Sequence, residues 1–190
     1  MEVSVLKPIL IDLPETIETD RLVIRPCMPG DGKDVYESIQ RSKEDFKPWM
    51  SFANQEQTLE EVEAGVRESY AKYILREDIR LHIYLKATNE FIGSTGLHSI
   101  DWKVRVFEIG YWCDSAHTGK GYITESTKAL IQFAQSTLEA NRIEIRVDST
   151  NMKSRAIPEK LGFSLDGILK NETLSADTAE LRDICLYSLT

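Results

Sequence analysis

From Thr58 onward, Leu59, Val62, Val66, Tyr70 and Tyr73 recur at steps of three and four residues, the spacing of one helical face. Thr58 ahead of the run and Glu61 three places later form a capping box, so a helix is expected to start there. The period then falls to two. Leu81, Ile83 and Leu85 alternate with His82, Tyr84 and Lys86, and Asn89-Glu90 turns the chain into Phe91–Leu97, which predicts a hairpin. A third strand is expected over 104–113. Strict alternation puts Val104, Val106, Glu108, Gly110 and Trp112 on one face and Arg105, Phe107, Ile109, Tyr111 and Cys113 on the other, so Glu108 sits in a largely apolar row.

Upstream, Leu22–Arg25 is a short β-rich run stopped by Pro26, Pro29-Gly30-Asp31-Gly32 is turn chemistry, and 34–41 reads as a helix. Phe46, Trp49, Met50 and Phe52 crowd around Pro48, too irregular for a long helix and too apolar for a free loop, so they pack or line a pocket. Downstream, Ile123, Thr127, Leu130, Ile131, Ala134 and Leu138 trace one face of a helix, and Ile143, Ile145 and Val147 point inward from a strand over 142–148. A helix over 154–161 is stopped by Gly162, Phe163 begins another strand, and 181–189 is the last one. This order predicts an α/β fold, one domain over 1–190 on a sheet of mixed direction, with residues 1–16 as an N-terminal arm.

A chain of 190 residues buries roughly two-thirds of the surface its unfolded form exposes and needs no staple. Its 23 basic and 31 acidic residues give a net charge of −8, the wrong sign for holding nucleic acid through phosphates, though suited to a basic polypeptide. Cys27, Cys113 and Cys185 lack any CxxC spacing, and His82, His98 and His117 are dispersed, so neither disulfides nor a metal is expected. Free thiols fit a cytoplasmic setting, and no apolar run approaches the roughly 20 residues that span a bilayer.

The chemistry concentrates where the third central strand runs through Gly119-Lys120-Gly121 into a helix. Such a turn presents unpaired N–H groups at the positive end of a helix, and glycines let a pyrophosphate approach the backbone. Neither a GxxxxGK[ST] loop nor a GxGxxG fingerprint is present. Asn151-Met152-Lys153-Ser154 sits at the next strand-to-helix junction, so polar groups at the ends of adjacent strands converge on one crevice.

Five ordered stretches carry a resemblance: Thr19–Pro26, Phe91–Leu97, Glu108–Trp112, Gly119–Glu125, and Asn151–Arg155 followed by Glu159–Phe163. Together they resemble GNAT acetyltransferases of the ribosomal-protein N-terminal (Rim-type) branch. The resemblance implies a mixed sheet of about six to seven strands flanked by helices, with two central parallel strands splayed to hold acetyl-CoA. Trp112 and Cys113 would pair with the pantetheine through their backbones, His117, Thr118, Gly119, Lys120, Gly121, Tyr122 and Ile123 would cradle the pyrophosphate, and Asn151 would bond near the pantetheine.

There are two departures from the family pattern. Ala116 replaces the usual Arg or Gln three residues before the first glycine, and Pro158 stands where many members carry a tyrosine that protonates the departing thiolate. Ser154 is then the candidate acid, with a water-mediated route as its alternative. Pro158 should also remove one helical hydrogen bond. Glu108 is the candidate base, because an apolar row beside a cleft raises a carboxyl pKa; the competing reading is a structural Glu paired with an Arg.

A backbone N–H near Trp112 or Cys113 would stabilise the oxyanion in direct attack by the amine, without an acyl-Cys113 intermediate. Trp49, His98 and Asp101 are candidate acceptor contacts, against packing for Trp49 and plain solvation for the other two. The function expected is acetyl transfer to a primary amine, foremost the N-terminal α-amine of a ribosomal protein. A small-amine acetyltransferase and a non-catalytic acyl-CoA sensor are the alternatives, and a homodimer stays open.

Overall fold

The computed structural model describes residues 7–190. Its strands are β1 (Ile17–Glu18), β2 (Leu22–Pro26), β3 (Ile79–Leu85), β4 (Phe91–Asp101), β5 (Val106–Cys113), β6 (Arg142–Asp148), β7 (Ser164–Leu174) and β8 (Leu181–Leu189). The helices are α1 (Gly32–Phe46), α2 (Leu59–Leu75), α3 (Tyr122–Ser136) and α4 (Met152–Lys160). The strands form one mixed sheet in the order β1-β2-β3-β4-β5-β6-β8-β7. That is one strand more than the upper sequence expectation. The addition is β1, whose two residues are too few to show a period.

Every neighbouring pair is antiparallel except β5 and β6, which run parallel and are registered only from Val106↔Arg142 to Glu108↔Glu144. Past that point each strand keeps its outer partner, β4 or β8, while the inner edges separate. The expected splay is therefore a ladder that stops after three pairs. A core on one face holds Phe107, Ile109, Ile143, Ile145 and Val147 against Leu130, Ile131 and Ala134 of α3. On the other face Val35, Ile39, Val62 and Val66 of α1 and α2 close over Tyr84 and Phe91.

Element ends differ from the sequence reading for local reasons. The third central strand begins at Val106 rather than Val104, because Asp101 Oδ1 accepts the Lys103 and Val104 N–H groups (2.8 and 3.3 Å) and makes a turn, in which Arg105 takes φ 55°. The helix expected over 34–41 extends to Phe46, whose ring is buried. The one expected over 154–161 starts at Met152, since Asn151 Oδ1 caps it through the Ser154 N–H at 3.1 Å. Residues 7–16 of the expected arm include a single 3-10 turn, Pro8–Leu10, and its first six residues lie outside the described chain. No described helix is long and apolar enough to cross a membrane.

Candidate active site

The site is built where the sheet opens. Gly119 (φ 75°) and Gly121 (φ 80°) both adopt left-handed backbone, which curls the turn so that successive N–H groups face one side. Among the described residues the N–H groups of Gly119, Lys120 and Gly121 have no partner, and all three residues are exposed. Gly121 is the N-cap of α3 and supplies no side-chain acceptor, so the first-turn N–H groups stay open as well. Lys120 folds back to donate from Nζ to the Ala116 carbonyl at 3.0 Å, bringing a positive charge to the position where Ala116 itself offers none. Such an arrangement of free N–H groups can hold an anion.

Two distant anchors hold the turn, and local sequence patterns gave no sign of either. Asp114 is fully buried and accepts Arg41 Nη2 at 2.7 Å, Arg41 Nε at 3.1 Å and the Ala116 N–H at 2.9 Å, while Ser42 Oγ accepts the Ser115 N–H at 2.9 Å. Burial works against ionisation of Asp114, but Arg41 and the Ala116 N–H outweigh it and hold its pKa below the ordinary value. From the other side Arg21 donates to Glu125 Oε2 (2.7 Å) and to the Lys120 carbonyl (3.1 Å), and its guanidinium lies 4.6 Å from the Tyr122 ring centre. Thr19 Oγ1 donates to the same Glu125 at 2.6 Å. The Thr19–Pro26 stretch thus braces the glycine turn from across the fold.

Where β5 and β6 part, a cavity of about 400 Å³ is lined by Gly110 and Tyr111 of β5, Ile145–Asp148 of β6, Asn151, Ser154, the 48–51 segment and residues 173–176. Asn151, Ser154 and Trp49 all line this cavity. Trp112 turns its indole away into a cluster with Phe46 (5.4 Å), Phe91 (5.6 Å) and Phe52 (6.3 Å), leaving only its backbone for the crevice. The Cys113 thiol is pushed up to about 12 by burial, with Asp114 adding to the effect, and a thiol kept protonated is a poor nucleophile.

Other expected residues are placed differently. The His117 ring is buried with Nε2 3.3 Å from Glu90, and the residue's backbone N–H is spent on the Asp114 carbonyl, so His117 supports the turn rather than lining it. Thr118 likewise directs its Oγ1 to the Ser115 carbonyl at 3.1 Å. Asp101 is used in its own turn. Glu108 does lie in its predicted row, yet its carboxylate is half-buried, accepts Ser99 Oγ at 3.1 Å and is not part of the cavity wall.

Directly across from Glu108, His98 pairs through Nδ1 with Asp78 at 2.6 Å. Its ring crosses Gly96 and Gly110, where an added Cβ would come within 2.9 Å of it. A bulge follows at Ser99 (φ 49°), and bulges re-aim side chains. Tyr111, which the sequence reading assigned no role, places its hydroxyl 3.3 Å from Ser154 Oγ.

The family model described as an acetyltransferase (GNAT) domain matches residues 21–164. YdaF of Bacillus subtilis, whose name carries a provisional assignment as a ribosomal N-acetyltransferase, is 31% identical over 153 residues, covering 78% of this chain and 80% of its own. The ribosomal-protein-serine acetyltransferase of Escherichia coli is 28% identical over 184 residues, covering 92% of this chain and 96% of its own. Among solved structures, a RimL ribosomal L7/L12 α-N-protein acetyltransferase in complex with coenzyme A superposes with a TM-score of 0.86 at 19% identity, over 92% of this chain and 97% of that one.

Proposed function

This chain belongs to the GNAT acetyltransferase family and is an N-acetyltransferase, and from that premise we propose that its acceptor is the N-terminal α-amine of a protein, with a ribosomal protein the first candidate. The observation that carries acetyl-CoA as the cosubstrate is the stopped β5–β6 ladder with the glycine turn beyond the end of β5. The open strand edges suit an extended amide-bearing chain such as pantetheine, and the turn suits its pyrophosphate. The residues present thus fit acetyl-CoA, whose thioester supplies an activated acetyl group. Asn151 is committed to capping α4 through Oδ1, which leaves its amide N–H groups for the cosubstrate.

The protein acceptor draws on the E. coli relative, which spans nearly the whole chain, and on the acidic surface, with a net charge of −8 that favours a basic peptide. An α-amine with a pKa near 7.8 is roughly a tenth neutral at pH 7, so such an acceptor needs little activation. The neutral amine attacks the thioester carbonyl, the C–N bond forms, and the C–S bond breaks with its electron pair left on sulphur. The amine proton leaves toward the row that holds Glu108 and, opposite it, His98. Ser154 meets the sulphur. Free Cys27, Cys113 and Cys185 fit a cytoplasmic location.

Acetyl-CoA consumption with a serine-initiated basic peptide, an N-blocked lysine peptide and a panel of small amines tests the reading. Selective turnover of the free N-terminus is expected. Turnover of small amines alone would move the chain to metabolite acetylation, and tight acetyl-CoA binding without any turnover would make it a sensor. For the base, Glu108→Gln is expected to remove the enzyme's ionisation from the acid limb of the kcat/KM profile and leave that of the acceptor amine alone; an enzyme ionisation that persists in Glu108→Gln and disappears in His98→Gln transfers the role to His98.

A further inference from the structure

Helix α4 contains Pro158, whose ring nitrogen has no proton. Its partner in a regular helix is the carbonyl four residues earlier, that of Ser154. The helix therefore leaves that carbonyl without its donor at the one residue that faces the departing sulphur in the proposed reaction. The place is taken from outside the helix: Tyr111 of β5 donates its hydroxyl to the Ser154 carbonyl at 3.0 Å. The same contact brings the phenol oxygen to 3.3 Å from Ser154 Oγ, which donates to it. Both residues line the cavity where β5 and β6 part.

We propose that Pro158 and Tyr111 work as a pair, the proline vacating the Ser154 carbonyl and the tyrosine, seated there, positioning the Ser154 hydroxyl for the leaving thiolate. The inference rests on the acetyl-transfer reading. Before transfer the order of donation runs from Ser154 Oγ to Tyr111 and from Tyr111 to the carbonyl. As the C–S bond breaks and its electron pair settles on sulphur, Ser154 Oγ–H rotates to the sulphur and Tyr111 O–H rotates from the carbonyl to Oγ. Two aligned hydroxyl dipoles then face the new charge, and the proton that completes the thiol comes from water. Burial pushes the Tyr111 phenol up to about 12, against the pull of the Ser154 hydroxyl, so at neutral pH it remains a donor throughout. A tyrosine carried on α4 would reach sulphur from the helix; here the phenol approaches from the sheet, and the proline is the reason it can.

The test uses Tyr111→Phe, which keeps the ring and removes only the hydroxyl, and Pro158→Ala, which leaves Tyr111 intact but returns an N–H to compete for the Ser154 carbonyl. Two readouts apply. In steady state, Tyr111→Phe is expected to lower kcat roughly tenfold to a hundredfold with KM for acetyl-CoA within about twofold, and Pro158→Ala to lower it by less.

Independently of turnover, the thiol of bound coenzyme A is titrated by its thiolate absorbance, with protein saturated by desulfo-coenzyme A as the blank. It should ionise about one pH unit lower on the wild type than on Tyr111→Phe. Unchanged kcat together with an unchanged bound-thiol titration in Tyr111→Phe overturns the pairing. A wild type that neither binds coenzyme A nor turns over sinks the acetyl-transfer reading, and this inference with it.

Discussion

Helices α2 and α3 begin in opposite ways. At α2, Thr58 Oγ1 accepts the Glu61 N–H (3.2 Å) and Glu61 Oε2 accepts the Thr58 N–H (2.7 Å), so the end is closed by its own side chains. At α3, Gly121 offers nothing, and Glu125, the acid of the first turn, is turned away to Arg21 and Thr19. The other two starts side with α2. Asn151 caps α4, and Glu63 of α2 reaches across to take the Gly30 and Gly32 N–H groups at the head of α1 (2.9 and 3.0 Å). Unsatisfied N–H groups carry a free-energy cost, and α3 is the one described helix whose first turn has no side-chain acceptor, so its start has donors to offer a ligand.

Just ahead of α1, its N-cap residue Asp31 makes no cap to a helix N–H and spends its carboxylate on an ionic cluster instead. Asp31 accepts Arg25 through two oxygens at 2.8 Å, His82 Nδ1 at 2.8 Å and the Met28 N–H at 2.8 Å. Asp31→Asn leaves the Arg25 guanidinium without its carboxylate and is expected to cost about 3 kcal/mol of stability in urea unfolding; a loss well under 1 kcal/mol would mean that water solvates Arg25 as well as Asp31 does. The same cluster sets the acid response. Burial pushes the His82 pKa below its ordinary value against the pull of Asp31, so an unfolded chain takes up this proton below about pH 6.5 while the folded one does not.

Asp31 itself is desolvated, yet Arg25, His82 and the Met28 N–H outweigh that and hold it well below the carboxylate range. Its contribution is complete above about pH 3.9, the ordinary carboxyl value, and is lost as the pH falls through the depressed one. Both signs agree. Stability should fall on acidification in two stages, beginning near pH 6.5, and equal unfolding free energies at about pH 7.5 and about pH 5 would contradict the His82 stage.

Closing the open end is the next experiment. Gly121→Asp places a carboxylate at the α3 N-cap in a backbone conformation that Asp tolerates better than most residues. Coenzyme A affinity should fall about a hundredfold, or about 2.8 kcal/mol by calorimetry, while thermal stability holds or rises. Unaltered affinity would show that the pyrophosphate lies elsewhere. The smallest effect is at α2, where Thr58→Ala should cost about 1 kcal/mol of stability and leave coenzyme A binding as it was.

What the sequence made legible were features written in local spacing: the α2 capping box, the hairpin, the two rows of β5, the glycine turn. What escaped it were contacts between residues far apart in the chain. Arg41 with Asp114 and Arg21 with Glu125 join segments more than seventy residues apart, and no periodicity announces them. The row of Glu108 could be read, but the Ser99 hydroxyl over it could not, since a bulge brings it there. Pro158 was visible as a missing hydrogen bond, and it acquired a meaning only with Tyr111 in view.

The three registered pairs between β5 and β6 are also a seam in time. On one side lie β1 to β5 and on the other β6 to β8, and the side chains packed beneath, Phe107 and Ile143 among them, hold the halves together more than the short ladder does. Few hydrogen bonds across a boundary mean cheap local opening, so amides from Ile109 to Cys113 that face the gap should exchange with solvent quickly in the free protein. A cosubstrate lying between the halves acts as a clasp. Its arrival should be read as slowed exchange along both lips of the seam, with the outer ladders to β4 and β8 scarcely altered.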